Sequence, residues 1–280
     1  MRIRPLSTFV CLLAAMTVAS PAVAQYGGSG LSNRATGENY RVEAGIFFWG
    51  PSPDIVIASE GLGQEADKID FVNDLGIEKS TFKQFKITLR PATKHKFRFE
   101  FTPIRYNAAQ TITRVFVFNG QRYTIGLPVQ TAVQWNAYRF AYEWDFVYRD
   151  RGFAGLVLET KYTDIQASLD ATFAGVTDHE FTHAKAPIPA IGLIGRGYVA
   201  PNISITGEFT GFKLPEIGSA DSDNHYSGKY FDFDLYGTVN FTDNFGVDAG
   251  YRSFDVDYLV KRDSGTLKLK GLYIGGKARF

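Results

Sequence analysis

From Phe231 to Phe241 the chain alternates without a break. Phe231, Phe233, Leu235, Gly237, Val239 and Phe241 fall on one face of an extended segment, and Asp232, Asp234, Tyr236, Thr238 and Asn240 on the other. Successive side chains of a strand point to opposite faces, so this run predicts a β-strand with one apolar and one polar, partly ionised face. The rhythm recurs where Tyr138, Phe140, Tyr142, Trp144, Phe146 and Tyr148 interleave with Arg139, Ala141, Glu143 and Asp145, and where Phe97, Phe99 and Phe101 alternate with Arg98, Glu100 and Thr102. A soluble sandwich also alternates, but it does not set large aromatics against rows of charge so many times. Hydrocarbon on one side of each strand and an enclosed polar interior on the other account for the pattern.

The start of the chain agrees with such a destination. Arg2 and Arg4 precede an apolar run from Phe9 to Ala19, and Ala22-Val23-Ala24 forms a small-residue cleavage site before Gln25. This predicts a cleaved signal peptide over 1–24, because the run is well short of the ~20 residues a spanning helix needs. The single cysteine, Cys11, lies within it, which excludes disulfides, thiol catalysis and thiolate zinc sites from the mature chain. Beyond it there is no apolar stretch long enough for a membrane helix, so a membrane could be crossed only by strands closed into a barrel. Removing Arg2 and Arg4 from the 30 basic residues leaves 28 against 29 acidic, a balance that gives no reason to expect a nucleic-acid partner.

The expected fold is therefore all-β: a closed antiparallel transmembrane β-barrel of about ten strands in an up-and-down meander, over residues 39–280. The strands read as 39–50, 82–91, 94–105, 131–149, 152–171, 188–200, 203–213, 228–241, 244–260 and 265–280. Residues 25–38, rich in Gly and Ser, read as a flexible periplasmic lead-in. Short turns at 91–93, 150–151, 201–202 and 242–243 alternate with long connections at 51–81, 106–130, 172–187 and 214–227, the asymmetry of periplasmic turns and external loops. A hairpin around Asn119-Gly120 is read as lying outside the membrane; counting it as membrane-spanning gives the alternative of twelve strands.

Alternation assigns to the interior a network of Arg98, Glu100, Arg139, Glu143, Asp145, Glu159, Lys161, Glu208, Asp232, Asp234, Asp248, Arg252, Lys277 and Arg279. Both signs are interspersed. Small barrels are nearly filled by their own side chains, so the expectation is a largely occluded, charged lumen. A ring of one sign would have argued for ion selection, and none is visible. The functional expectation is a structural or surface-interaction role without enzymatic activity. The alternatives are a narrow passive channel for small solutes or ions, and a rim- or loop-based hydrolase.

The hydrolase reading rests on His179-Glu180-Phe181-Thr182-His183, formally the His-Glu-x-x-His of zinc proteases, in which a helix brings both imidazoles to one metal. Read here as part of a loop, His179 and His183 are weak metal candidates, and no third ligand is evident. Asp223-Asn224-His225 resembles the Asp-x-His dyad of omptin proteases over three residues only. Asp67, Asp70 and Asp74, and again Asp221 and Asp223, are acidic clusters that read as solvated loop faces.

The last segment has Leu272, Ile274, Gly276, Ala278 and Phe280 on one face, with Tyr273, Lys277 and Arg279 on the other. Apolar and closing on Phe280, it resembles the C-terminal strand of bacterial outer-membrane β-barrel proteins, where such a strand is the insertion signal. The resemblance covers nearly all of 39–280 and implies an integral cell outer-membrane location. It implies as partners outer-membrane lipid and lipopolysaccharide, the barrel insertion machinery and periplasmic chaperones. No cofactor is implied, and oligomeric state is left open.

Overall fold

Alternating segments become strands wherever both of their faces find a matching environment. The computed structural model describes residues 35–60, 67–118, 120–173, 176–218 and 225–280, the side chains of 172–184 and 186 excepted. The expected signal peptide lies outside the described residues. Thirteen strands follow in order: β1 (Val42–Ala58), β2 (Ile69–Asp70), β3 (Phe82–Ala92), β4 (His95–Thr111), β5 (Phe116–Phe118), β6 (Gln121–Tyr123), β7 (Pro128–Arg149), β8 (Gly152–Phe173), β9 (Val176–Ala200), β10 (Ile203–Ile217), β11 (Tyr226–Asn240), β12 (Phe245–Val260) and β13 (Asp263–Arg279). Eleven form one antiparallel sheet in the order β13-β12-β11-β10-β9-β8-β7-β4-β3-β1-β2, while β5 and β6 form a sheet of their own. Strands β1 and β13 also pair, from Glu43 with Arg279 to Ala58 with Ser264.

The expectation of a closed ten-strand meander, or of twelve strands, is corrected by this arrangement. Among the described residues there are thirteen strands in two sheets, and the order is broken where β7 pairs with β4 and leaves β5 and β6 aside. The reason lies in two long connections, the second of which holds the hairpin expected around Asn119-Gly120. Ile69, Phe71, Leu75 and Ile77 in the first, and Phe116, Phe118 and Tyr123 in the second, are all at most 2% exposed. They carry an apolar pattern of their own and fold as a cap. The third connection, expected at 172–187, is mostly strand, since β8 runs to Phe173 and β9 starts at Val176. Strand β1 also continues through Pro51 and Pro53 to Ala58. Beyond Trp49 its β3-facing edge has no β3 partner, and proline is tolerated on such an edge.

Polarity inverts part-way along the strands. On β4 the buried positions are Lys96, Glu100 and Thr102, then Ile104 and Tyr106, while the opposite face runs from Phe97, 51% exposed, to the exposed Arg105 and Asn107. On β12, Asp248 and Arg252 are buried and then Phe254 and Val256, with Tyr251 outside giving way to Asp255 and Asp257. On β13, Lys277 and Arg279 are buried at one end and Leu267 and Leu269 at the other; outside, Leu272 and Ile274 give way to Lys270. One half of the wall is therefore greasy outside and ionised inside. The other half is built like a soluble protein, polar outside and apolar inside. The greasy stretch of β13, from Leu272 to Phe280, runs about 27 Å along the chain at strand pitch.

Candidate functional site: the interior ion-pair layer and its two ends

Ionised groups taken out of water need both a counter-charge and hydrogen bonds. The half of the interior behind the apolar outer belt supplies them across the sheet. Arg98 on β4 donates two hydrogen bonds of 2.7 Å to Glu208 on β10, and its Nε lies 3.2 Å from Glu143. Glu208 also pairs with Arg139, whose Nε donates to Glu159 at 2.5 Å. Arg252 holds Asp232 through Nε at 3.1 Å and Nη2 at 2.7 Å, and pairs with Glu100. Lys161 pairs with the same Asp232. Nearer the short turns, Lys277 meets Asp248 at 2.8 Å, and Arg279 donates to Glu43 at 2.6 Å. Asp145 lies beside Lys96 at 3.0 Å, and Lys96 also donates to Glu143 at 2.6 Å. Asp234 accepts from the Tyr273 hydroxyl at 2.8 Å and faces Lys86 at 3.5 Å.

All fourteen interior residues named from the sequence thus have partners in this layer. Two members escaped notice for different reasons. Lys96 shares the face of Arg98 two positions away, a signal that was available. Glu38 sits in the Gly- and Ser-rich lead-in, where no periodicity marks it.

The space left inside is small. A cavity of about 70 Å³ is bordered by Glu43, Glu100, Glu143, Glu208, Asp234 and Asp248 and by Lys86, Lys96, Arg98, Arg139, Arg196 and Lys277. Six acids face six bases, so neither sign has an excess. The volume suits a few waters and no organic solute. Toward the cap the interior is filled by apolar packing: Trp135 lies against Phe254 at 5.0 Å between ring centres, and Phe82 against Tyr106 at 5.1 Å.

Each end carries its own closure. At the short-turn end, Thr36 N donates to Pro201 O at 2.7 Å, Gly37 N to Asp243 Oδ1 at 2.7 Å, and Asn240 Nδ2 to Thr36 O at 2.7 Å. The Glu38 carboxylate receives Arg196 Nη1 at 2.9 Å and the Tyr198 hydroxyl at 2.8 Å, with Arg90 at 3.8 Å. This segment bridges β3, β9 and two turns, so the last residues of the expected flexible lead-in are pinned across the end. At the opposite end Arg114, just before β5, donates to Asp74 through Nε at 2.8 Å and Nη2 at 2.5 Å. Those two bonds hold the Asp74 carboxyl below its ordinary range. Asp70 caps the backbone N–H of Val72 and Asn73, and Asp67 accepts from Val117 N at 2.8 Å. The acidic cluster of the first connection is thus spent on the loop itself.

The backbone of the His-Glu-x-x-His segment belongs to β9, with His179 opposite Asp170 and His183 opposite Gln166 of β8. Extended chain separates positions i and i+4 by about 13 Å, against about 6 Å along a helix, so the spacing that serves a zincin does not arise here. Their side chains, and Asp221, Asp223 and Asn224, lie outside the described residues. His225 Nε2 lies 2.6 Å from Glu216 Oε1. Among the described residues no group of three or more His, Cys, Asp or Glu is placed to hold a metal.

Comparison of the fold with solved structures finds the outer membrane protease OmpT from Escherichia coli at TM-score 0.53 and 11% identity, covering 86% of this chain and 97% of that one. The all-β fold resembles that of a bacterial outer-membrane β-barrel protein. At such identity the likeness concerns fold alone and selects no subfamily. Neisserial surface protein A matches at TM-score 0.33 and 14% identity, over 85% of this chain and 97% of its own. Ail of Yersinia pestis matches at 0.35 and 8%, over 86% and 99%. No protein-family model and no curated protein sequence matches the chain.

Proposed function

We propose that this chain is an integral outer-membrane protein of non-enzymatic, structural or surface-interaction character. Its interior is occluded, and its capped outer half stands clear of the lipid. The observation that carries the proposal is the ion-pair layer crossing the interior at lipid height, with a residual cavity of only about 70 Å³. A conducting path would need a continuous aqueous space. Here cross-sheet pairs such as Arg98–Glu208 and Arg252–Asp232 occupy it, and the outer half above them is packed with apolar side chains.

The inversion of polarity supports the orientation. The half with short turns carries the apolar outer belt, and the half with the cap carries polar outer faces suited to water. The cap, built from the first long connection and the β5–β6 hairpin, presents the outermost surface, with Val115 and Ile125 exposed on it. Outer-membrane lipid, the insertion machinery and periplasmic chaperones are the partners that this reading requires.

Planar-bilayer recording of the refolded mature chain tests it. The expected trace is flat or shows rare, small, poorly selective events. Large and steady single-channel openings would replace this proposal with a passive channel.

A further inference from the structure

Among the described residues Lys96 is the one buried lysine with two carboxylates within 3.0 Å. Its Nζ donates to Glu143 Oε1 at 2.6 Å and lies 3.0 Å from Asp145 Oδ2. Lys96, Glu143 and Asp145 are 3%, 1% and 0% exposed. Glu143 stands directly opposite Lys96 in the β4–β7 ladder. Asp145 joins them through a bulge, where the β7–β8 register slips between Trp144 and Val147 and Asp145 N donates to Lys94 O at 2.8 Å. A bulge re-aims the side chains it carries. Gly155 leaves room for this one, since a Cβ there would come within 2.7 Å of Asp145 Oδ1. The Phe153 ring covers the amine, its centre 3.6 Å from Nζ.

Asp145 is also the one carboxylate of the layer, among the described residues, that accepts no hydrogen bond. Its 3.0 Å contact with Lys96 lacks hydrogen-bond geometry. The comparable pairs are built differently. Beside Lys161, Asp232 is fixed by two hydrogen bonds from Arg252; beside Lys277, Asp248 accepts from the Thr238 hydroxyl at 2.7 Å.

We propose that Lys96 Nζ and Asp145 Cγ join in an intramolecular amide bond that the chain forms by itself, with Glu143 relaying protons. One ammonium proton passes through Glu143 to Asp145, leaving an amine beside a carboxylic acid. The nitrogen lone pair attacks Cγ, and the C–N bond forms. Glu143 then takes a second proton from the nitrogen and returns it to the departing hydroxyl, so that the Cγ–O bond breaks and water leaves. Nothing is oxidised or reduced, and Glu143 ends as it began. An amine screened from water by an aromatic ring is a competent nucleophile, and its contact with the carboxyl group removes the cost of encounter. The product replaces a buried ammonium and a buried carboxylate by one neutral amide, which favours it in a closed space. It ties β4 to β7 beside the short turns. This chemistry is independent of the membrane orientation proposed above.

Mass spectrometry of the mature chain folded in detergent micelles tests it. Wild type is expected to weigh one water less than its sequence. A denaturing tryptic digest should yield a branched peptide that joins Lys96 to Asp145, with no cleavage after Lys96. Lys96→Arg and Asp145→Ala should keep the full mass. Glu143→Gln retains both reacting groups and should slow the reaction by about a hundredfold, the contribution of a positioned proton carrier. Folded wild type of full mass, cut by trypsin after Lys96, overturns the proposal, and that readout needs no variant to fold. A water loss that maps to any other residue, or that persists in Asp145→Ala, overturns it as well. Bond formation at the wild-type rate in Glu143→Gln overturns the relay.

Discussion

Arg98 and Glu208 lie 110 residues apart in sequence and are joined by two parallel hydrogen bonds of 2.7 Å across the interior. Glu208 also serves Arg139, so one carboxylate accepts from two guanidinium groups, which share the further carboxylates Glu143 and Glu159. Glu208→Gln would leave these arginine–carboxylate contacts one charge short, with Arg98 on Glu143 and Arg139 on Glu159, at a cost of about 3 kcal/mol for a broken buried pair. Replacing both partners, Arg98→Met with Glu208→Met, removes one cation together with its anion and should cost less than the single change. Urea or guanidinium unfolding midpoints in detergent micelles measure both. A Glu208→Gln midpoint equal to wild type would show that the pair does not hold the interior together.

The inversion of polarity predicts three different outcomes on the single strand β13. Ile274 is 56% exposed within the belt, and Ile274→Arg should cost about 2–4 kcal/mol, the penalty for a base on the lipid face. Thr266 lies on the same outward face beyond the belt, and Thr266→Arg should be neutral within about 0.5 kcal/mol. Leu269 is 0% exposed inside the outer half, and Leu269→Arg buries an unpaired charge and should prevent folding. Folding yield in micelles ranks the three. Equal tolerance at 266 and 274 would mean that the belt is misplaced.

Much of the wall with the apolar outer belt was legible because a strand has a period of two and the two faces carry opposite chemistry. Phe97, Phe99 and Phe101 have no other place to go. The outer half was less legible because alternation continues there with the chemistry exchanged. Thr102, Ile104 and Tyr106 keep the inward parity of Glu100 while turning apolar, and no break in rhythm marks the change. The cap was only partly legible: its second connection showed as a hairpin around Asn119-Gly120, its first much less. Ile69 and Phe71 bury themselves against residues distant in sequence, and two or three apolar positions in a long connection look like loop until their partners are known. The His-Glu-x-x-His spacing misled in the opposite way, since a motif defined by helical geometry sits in extended chain.

Acid should loosen the cap through Asp74. Its folded pKa lies below the ordinary carboxylate value, chiefly because Arg114 hydrogen-bonds to it. The stabilisation is then fully present above the unfolded value and is lost as pH falls through the folded one. Limited proteolysis of the first connection should accelerate below about pH 4 in wild type. Arg114→Ala should be cleaved faster already at neutral pH and show a shallower acid dependence. A variant with the wild-type proteolysis profile would mean that the apolar contacts of Phe71 and Phe116 hold the cap alone.

The segment before β1 gives a last prediction, which separates end closure from interior packing. Ala35 is 6% exposed, and Glu38 anchors the following residues to Arg196, Tyr198 and Arg90. Glu38→Ala leaves two guanidinium groups without this carboxylate and should release the segment from the short-turn end. The only native cysteine is Cys11, within the expected signal peptide, so Ala35→Cys places a single thiol in the mature chain. Maleimide labelling of that thiol should be slow in the otherwise native protein and at least tenfold faster with Glu38→Ala, as expected for loss of a charge-assisted anchor. Conductance should stay low in both, because the ion-pair layer beneath depends on Arg98, Arg139 and Arg252 and not on Glu38. Unchanged labelling would place the anchoring in the backbone bonds of Thr36 and Gly37. A rise in conductance would make this segment, and not the charged layer, the barrier to ions.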